Sequence, residues 1–366
     1  MTSFSRSSSP TLTRRTLVQT SVAATAIAIT GASGVSRIGS ARAAGAVRGA
    51  QDVRQVSLAL DWYPTAQHAG IYVAQDRGYF SDAGLKVKIY TPADPTTVLQ
   101  TVGAGRDTFG ISYQTDVLFA RGEQVPVVSV AALVQHPLNS LMFKADAEIT
   151  RPSDLKGKSV GIAGVPSDDA FLATMLKSDG LTIDDVEVIN VGYDLLPALL
   201  AGRATAVMGA YWTHESIVAD QQGTPVSYLR VEDWGVPDYY ELVVVTGDSY
   251  AENNAATVSA LLGAIQHGYQ DAAADPDAAI EILAKASEDV DRVVERKGID
   301  LLIPLWTDGG KVPFGTQTDA RWQAYGGWMK EQSLLKGEVD ISAAFRSDLL
   351  PVRDGATPAT VATPRG

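Results

Sequence analysis

From Val56 onward, short apolar runs alternate with segments whose apolar positions fall three and four residues apart. VSLAL (56–60) precedes helical spacing over 71–77, LKVKIY (85–90) precedes helical spacing over 96–103, and DTFGIS (107–112) closes a βαβαβ series. That order predicts parallel strands joined by helical crossovers, an α/β class, rather than a sandwich or a bundle. VPVVSVAALV (125–134) extends the same sheet. A second βα series follows: KSVGI (158–162), a helix from about Asp168, VEVINV (186–191), a helix around 195–201, ATAVMGAYW (204–212) and ELVVVT (241–246). Beyond it the pattern is helical over 249–274, 277–286 and 319–332.

A helical tail with no strands of its own must cover an existing sheet, most simply the first. The chain is therefore expected to leave a first lobe (55–140), build a second (145–240), and return to the first (245–345). Two such crossings make a hinge. They are expected at 138–147 and 236–246, where apolar, extended stretches flank Pro137 and Pro237. No repeat of fixed period is present in the body of the chain.

Composition narrows the function classes. A chain of 366 residues, 45% hydrophobic and 20% charged, has enough apolar content for two packed lobes. The net charge is -12, but residues 1–43 hold five Arg and no acid, so the remainder is more acidic still. Such a body repels nucleic acid and anionic lipid, and no nucleic-acid partner is expected. Cysteine is absent, which excludes disulfides, thiolate nucleophiles, thiolate-bound metals and a lipid-modified N-terminal Cys. In residues 1–43, Arg14 and Arg15 form a twin-arginine pair ahead of an Ala-rich apolar stretch, and Ala41, Arg42 and Ala43 supply a small-x-small cleavage site. This reads as an export signal and places the mature protein in the periplasm or at the extracytoplasmic cell surface. An uncleaved N-terminal anchor is the alternative.

Motifs typical of metal, phosphate and nucleophile chemistry are missing from the sequence. His68, His136, His214 and His267 show no paired ligand spacing, and no GxGxxG, GxxxxGK[ST] or GxSxG motif occurs. No catalytic residue, metal or cofactor is therefore expected. What the sequence offers instead are four clusters, each just beyond a predicted strand: DWYPTAQHAG (61–70), SYQTD (112–116), GVPSDD (164–169) and GAYWTHE (209–215). Parallel α/β sheets bind ligands at those ends. Asp61, Trp62, Tyr63 and His68 come from the first cluster, Tyr113 and Gln114 from the second, Ser167 from the third, and Tyr211, Trp212 and Glu215 from the fourth. Glu241 adds a carboxylate at the second crossing. Flat rings stack on a heteroaromatic ligand, and carboxylates accept from its exocyclic amino group or protonated ring nitrogen. The competing reading makes Trp62, Tyr63, Tyr211 and Trp212 core aromatics, and Ser112, Tyr113, Gln114, Asp116, Ser167 and Asp168 helix-capping residues. Gly164–Asp169 also reads as an anion cradle, although Asp168 and Asp169 would oppose an anion there.

LDWYPTAQHAGIYVAQDRGYF, GISYQTD, SDLKGKSVGI, GAYWTHE and YYELVVV together resemble the ThiY-like, thiamine-pyrimidine-type solute-binding proteins of ABC importers, over about residues 56–335. The resemblance implies a type II periplasmic-binding-protein fold with two Rossmann-like lobes on a two-strand hinge. It implies capture of a formylaminopyrimidine or hydroxymethylpyrimidine relative, delivered by a monomeric receptor to ABC permease subunits. Asp61, Trp62, Tyr63, His68, Tyr113, Tyr211, Trp212, Glu215 and Glu241 would then be ligand contacts. YVAQDRGYFSDAGL and DLKGKSVGI are shared with sulfonate and nitrate receptors, so sulfonate, nitrate or riboflavin-precursor binding remains a rival. The related thiamine-pyrimidine synthases consume an active-site His and bind iron through a Cys-rich segment. An enzyme using His68 is the alternative from that side.

Overall fold

The computed structural model describes residues 53–351. The segment read as an export signal lies outside the described residues. Among the described residues ten strands form two sheets. The first contains β1 (Arg54–Ala59), β2 (Leu85–Tyr90), β3 (Phe109–Ser112), β4 (Val127–Ala132) and, from far along the chain, β10 (Val243–Gly247). The second contains β5 (Asn139–Lys144), β6 (Ser159–Ile162), β7 (Glu187–Asn190), β8 (Ala206–Tyr211) and β9 (Val226–Arg230). The orders are β2-β1-β3-β10-β4 and β7-β6-β8-β5-β9. The two-lobed α/β architecture expected from the alternation is therefore present.

The alternation misses the sense of some strands. β1 is parallel to β2 and β3, and β6 to β7 and β8. β10 runs antiparallel to β3 and β4, and β5 antiparallel to β8 and β9. Both reversed strands come directly after a passage between lobes, with no helix to carry the chain back to the sheet's starting edge. β9 is a further strand that the apolar pattern does not reveal; its residues are half-buried or exposed rather than core.

The chain passes between sheets at 133–138 and 231–242. These passages pair with each other: the Leu133 amide donates to the Leu242 carbonyl at 2.8 Å and the Glu241 amide to the Val134 carbonyl at 3.1 Å. Two extended strands thus join the lobes. The helical tail covers the first sheet, as its lack of strands requires. Leu261, Ile265 and Tyr269 of the helix Ala255–Ala274 share one core with Leu58, Phe109, Val244 and with Ile71 and Val73 of the helix Ala69–Asp76. The last helix, Asp319–Glu331, also reaches the second lobe. Its Trp328 stacks on Phe171 at 5.6 Å between ring centroids, Tyr325 stacks on Tyr239 at 4.5 Å, and Tyr239 stacks in turn on Phe171 at 5.8 Å. Among the described residues no helix is long and apolar enough to cross a membrane.

Helices Ala69–Asp76 and Ala255–Ala274 cross at glycines. A Cβ on Gly268 would overlap the Gly70 carbonyl oxygen and come within 2.8 Å of the Ala74 amide nitrogen. Backbone cannot move aside as a side chain can. Gly268→Ala is expected to lower stability by at least about 2 kcal/mol, read as a fall in denaturation midpoint, since overpacking a tight core usually costs this much. An unchanged midpoint would show that the crossing is looser than described.

Candidate functional site

The C-terminal ends of β1, β3, β6 and β8 converge on a cavity of about 600 Å³ between the lobes. Asp61, Trp62, Tyr113, Ser167, Tyr211, Glu215 and Glu241 line it, seven of the residues singled out from sequence. Tyr63, His68, Gln114 and Trp212 do not. Tyr63 is exposed beside Trp62, with the two rings edge-to-face at 5.7 Å. His68 and Gln114 are fully buried. Trp212 is buried too; its Nε1 donates to the Pro137 carbonyl at 3.1 Å and its ring stacks on Tyr228.

Asp61 lies two residues past β1 and is almost completely buried. Its Oδ2 accepts from the Tyr113 hydroxyl at 2.6 Å, and its Oδ1 lies 2.9 Å from His68 Nε2. The Thr65 amide donates to His68 Nδ1 at 3.3 Å, so the ring proton of His68 belongs on Nε2 and is given to Asp61. His68 therefore orients the carboxylate from behind. Burial, followed by the Asp61 charge, pushes the Tyr113 hydroxyl well above its ordinary pKa, so it remains a donor.

Glu241 occupies the hinge. Its Oε2 accepts the Leu138 amide at 2.7 Å, while Oε1 accepts the Tyr211 hydroxyl at 2.7 Å and Asn139 Nδ2 at 3.1 Å. Burial raises its pKa to about 7 against the pull of those donors. Tyr211 reaches it because β8 carries a bulge. The pairing with β5 slips between Ser140 and Leu141, opposite Gly209, whose φ of 99° favours glycine. Gln114 serves the same hinge: its side-chain oxygen accepts the Tyr240 amide at 2.8 Å.

At the mouth, Trp62 from the first lobe faces Tyr193 from the second, with ring centroids 6.2 Å apart. Both are exposed, and Tyr193 was not among the residues chosen from sequence. Its position just past β7 was the available signal, since the other clusters also follow strands. Asn139 and Asp116 were likewise passed over as ligand contacts, and both line the cavity. Asp168, in the first turn of the helix Pro166–Ser178, is buried and accepts the Ala163 amide at 3.0 Å. That contact fills the loop read as an anion cradle with the protein's own carboxylate. Burial raises the Asp168 pKa to about 6.

A further contact crosses the lobes. His214 Nε2 lies 3.3 Å from Glu295 Oε1, and His214 Nδ1 lies 3.4 Å from Glu215 Oε1. Glu295 belongs to the helix Arg292–Leu302 of the tail, and its other oxygen accepts the Ala66 amide at 2.5 Å. Gly298 permits the approach: a Cβ there would stand 3.1 Å from the Thr213 carbonyl oxygen. Burial alone would lower the His214 pKa, but the hydrogen bonds and charges of Glu215 and Glu295 raise it to about 10. The cavity walls contain seven carboxylates and, among the described residues, neither Lys nor Arg.

Comparison with known proteins bears on family and fold. Residues 65–279 match the family model described as NMT1/THI5 like. A formylaminopyrimidine-binding protein of Halalkalibacterium halodurans is 35% identical over 296 residues, covering 80% of this chain and 89% of that protein. A 4-amino-5-hydroxymethyl-2-methylpyrimidine phosphate synthase of Aspergillus parasiticus is 26% identical over 62% of this chain and 69% of its own. The periplasmic aliphatic sulphonate binding protein SsuA from Escherichia coli superposes with a TM-score of 0.64 at 17% identity, over 80% of this chain and 97% of that one. At that identity the likeness is one of fold.

The His214 contact has a pH signature. Because its pKa is raised, the stabilisation that it gives the interlobe contact is fully present below about pH 6.5, the ordinary value, and is lost as pH rises towards 10. In an NMR titration the His214 ring is expected to stay protonated at pH 8 in the wild type and to titrate at least about one unit lower in Glu295→Gln. A wild-type ring already neutral at pH 8 would refute the contact.

Proposed function

The chain belongs to the NMT1/THI5-like family, and on that premise we propose that it is the extracytoplasmic solute-binding protein of an ABC importer, capturing a thiamine pyrimidine precursor. A formylaminopyrimidine or hydroxymethylpyrimidine is the ligand class. The observation that carries this reading is the character of the cavity: seven carboxylates and no Lys or Arg among its described residues, with aromatic rings from both lobes at the mouth. A neutral or weakly basic heterocycle bearing amino groups suits such walls, and an anion does not. The identity to a formylaminopyrimidine-binding protein supports the same ligand. A sulfonate receptor would need cationic donors where Asp168 and Asp116 stand.

In this reading the ring stacks against Trp62 and Tyr193, and the lobes, about 55–140 with 245–345 and about 145–240, close over it. Asp61, Tyr113, Tyr211 and Glu241 form the floor, with Ser167 and Glu215 on the second-lobe side. His68, Gln114 and Trp212 act through these residues rather than on the ligand. Closure presents both lobes to permease subunits as one surface, so ligand occupancy biases docking. Binding rather than catalysis is favoured because His68, the side chain an enzyme of this type would consume, is buried behind Asp61 and does not reach the cavity. The export segment at 1–43 belongs to the proposal.

Calorimetric titration with 4-amino-5-hydroxymethyl-2-methylpyrimidine and its formylamino analogue is expected to show saturable binding, with no heat from taurine or an alkanesulfonate. Binding of the sulfonate instead would sink the proposal. Trp62→Ala and Tyr193→Ala should each weaken binding about tenfold, the combined value of a stacked ring and its buried area.

A further inference from the structure

Six of the seven carboxylates in the cavity are already used by the protein. Asp61 holds Tyr113 and His68, and Glu241 holds the Leu138 amide, Asn139 and Tyr211. Asp168 holds the Ala163 amide, and Glu215 holds the Tyr211 amide at 2.8 Å. At the rim Asp94 accepts the Thr96 amide at 3.1 Å, and Glu123 pairs with Lys336 at 2.8 Å. Asp116 remains. It stands in the first turn of the helix Gln114–Gly122, faces the cavity, and has no hydrogen bond or ion pair to any described side chain or amide. The titratable groups around it are Asp61, Tyr113 and Tyr325, none of them a cation. Burial first, and then the Asp61 charge, raise its pKa to about 6.

Asp116 is half-buried, and a carboxyl group that opens on the cavity with no protein donor keeps both oxygens free to pair with a ligand. We propose that Asp116 is the specificity-determining residue of the cavity, pairing with the amino group and adjacent ring nitrogen of a 4-aminopyrimidine through two parallel hydrogen bonds that hold a single proton between carboxyl and ring. The inference rests on the aminopyrimidine reading of the site. The exocyclic amino group donates to one oxygen, and the other oxygen shares the proton with the ring nitrogen. The pair is complete as carboxylate with protonated ring or as acid with neutral ring, so one proton is needed in either form. A 4-oxo ring carries a carbonyl beside a ring N–H, so it pairs with the protonated acid alone, and an ionised carboxylate repels its carbonyl.

The proton count gives the test. Below the free pKa values of both partners one proton must leave on binding, and above them one must be taken up, so wild-type affinity falls on both sides, by about tenfold per pH unit at the limbs. In Asp116→Asn the amide donates to the neutral ring nitrogen and accepts from the amino group, so binding should persist with a flat alkaline limb. Asp116→Ala should bind at least about tenfold more weakly at every pH. Glu241 and His214 also titrate in this range, so the decisive readout is the difference between wild type and Asp116→Asn in calorimetry from pH 5 to 9 with 4-amino-5-hydroxymethyl-2-methylpyrimidine. Neither variant removes a protein contact, and melting temperatures check that both fold. With the 4-oxo analogue the wild type should show an alkaline limb without the acid limb, since the acid form already pairs with that ring, a comparison needing no variant. An alkaline limb kept by Asp116→Asn, full affinity in Asp116→Ala, or an acid limb as steep with the 4-oxo ring as with the amino ring would overturn the role of Asp116 and leave the functional proposal standing. A wild type that binds no aminopyrimidine would overturn both.

Discussion

The structure turns on a buried carboxylate at the hinge. Glu241 sits on the second passage between lobes and takes hydrogen bonds from the Leu138 amide and Asn139 side chain at the end of the first passage, and from Tyr211 at the end of a second-lobe strand. Three pieces of chain that meet nowhere else in sequence are thereby fixed around one group. A carboxylate buried so deeply would be expelled or neutralised without donors, and its pKa near 7 shows burial prevailing in part. The donors are there because the chain crosses twice. Each crossing feeds an antiparallel strand into the fourth position of its sheet, and the crossings pair with each other between Leu133, Val134, Glu241 and Leu242. Topology thus places the passages side by side, and Glu241 sets their register.

The same constraint shapes the cavity. An acid-rich crevice with no guanidinium or ammonium group would disrupt itself by repulsion were its charges free. Instead the Tyr113 and Tyr211 hydroxyls and the Ala163, Leu138 and Tyr211 amides each spend a donor on a carboxylate. These donors fix side-chain positions before any ligand arrives, which reduces the ordering cost of binding. They also separate acids that hold the walls from the one that does not. Composition alone cannot make that distinction, because Asp61 and Asp116 look equally available in the sequence.

The sequence revealed the strand-helix alternation, the two lobes and the strand ends at which the cavity forms. Apolar periodicity reports burial, and burial is what these elements share. It does not report direction, so β5 and β10 read as extended segments near a hinge without showing that they run against their neighbours. Nor does it survive a bulge. Ala206 and Met208 face one core while Val207 and Ala210 face the other, the odd-even rule slipping at Gly209. That slip gives Tyr211 to the cavity and Trp212 to the packing around Pro137, where the sequence offered them as equivalent. Tyr193 and Asp116 were obscured for different reasons: one stands alone past a weakly apolar strand, and the other occupies a helix turn where an acid already has a capping role.

The contacts between lobes limit how the molecule can move. The helix Asp319–Glu331 belongs to the tail that covers the first sheet, yet Trp328 and Tyr325 join Phe171 and Tyr239 in one stack of rings, and the Trp328 indole donates to Thr174 at 3.3 Å. Sliding the second lobe would break this stack and the Glu241 contacts together. Rotation about a line passing near both would spare them. Such a rotation changes most what lies far from the line, and the contacts there are the weaker ones: the exposed Trp62 and Tyr193 rings at 6.2 Å, and the half-exposed His214 beside Glu295. Strong, dry contacts therefore define the axis, and wet, easily broken ones form the edge. A ligand can bias such a hinge only through contacts made in one state and not the other. Rings at the edge meet that condition, whereas the acids at the axis, held by the protein's own donors, keep the walls of the cavity in place on either side of the rotation.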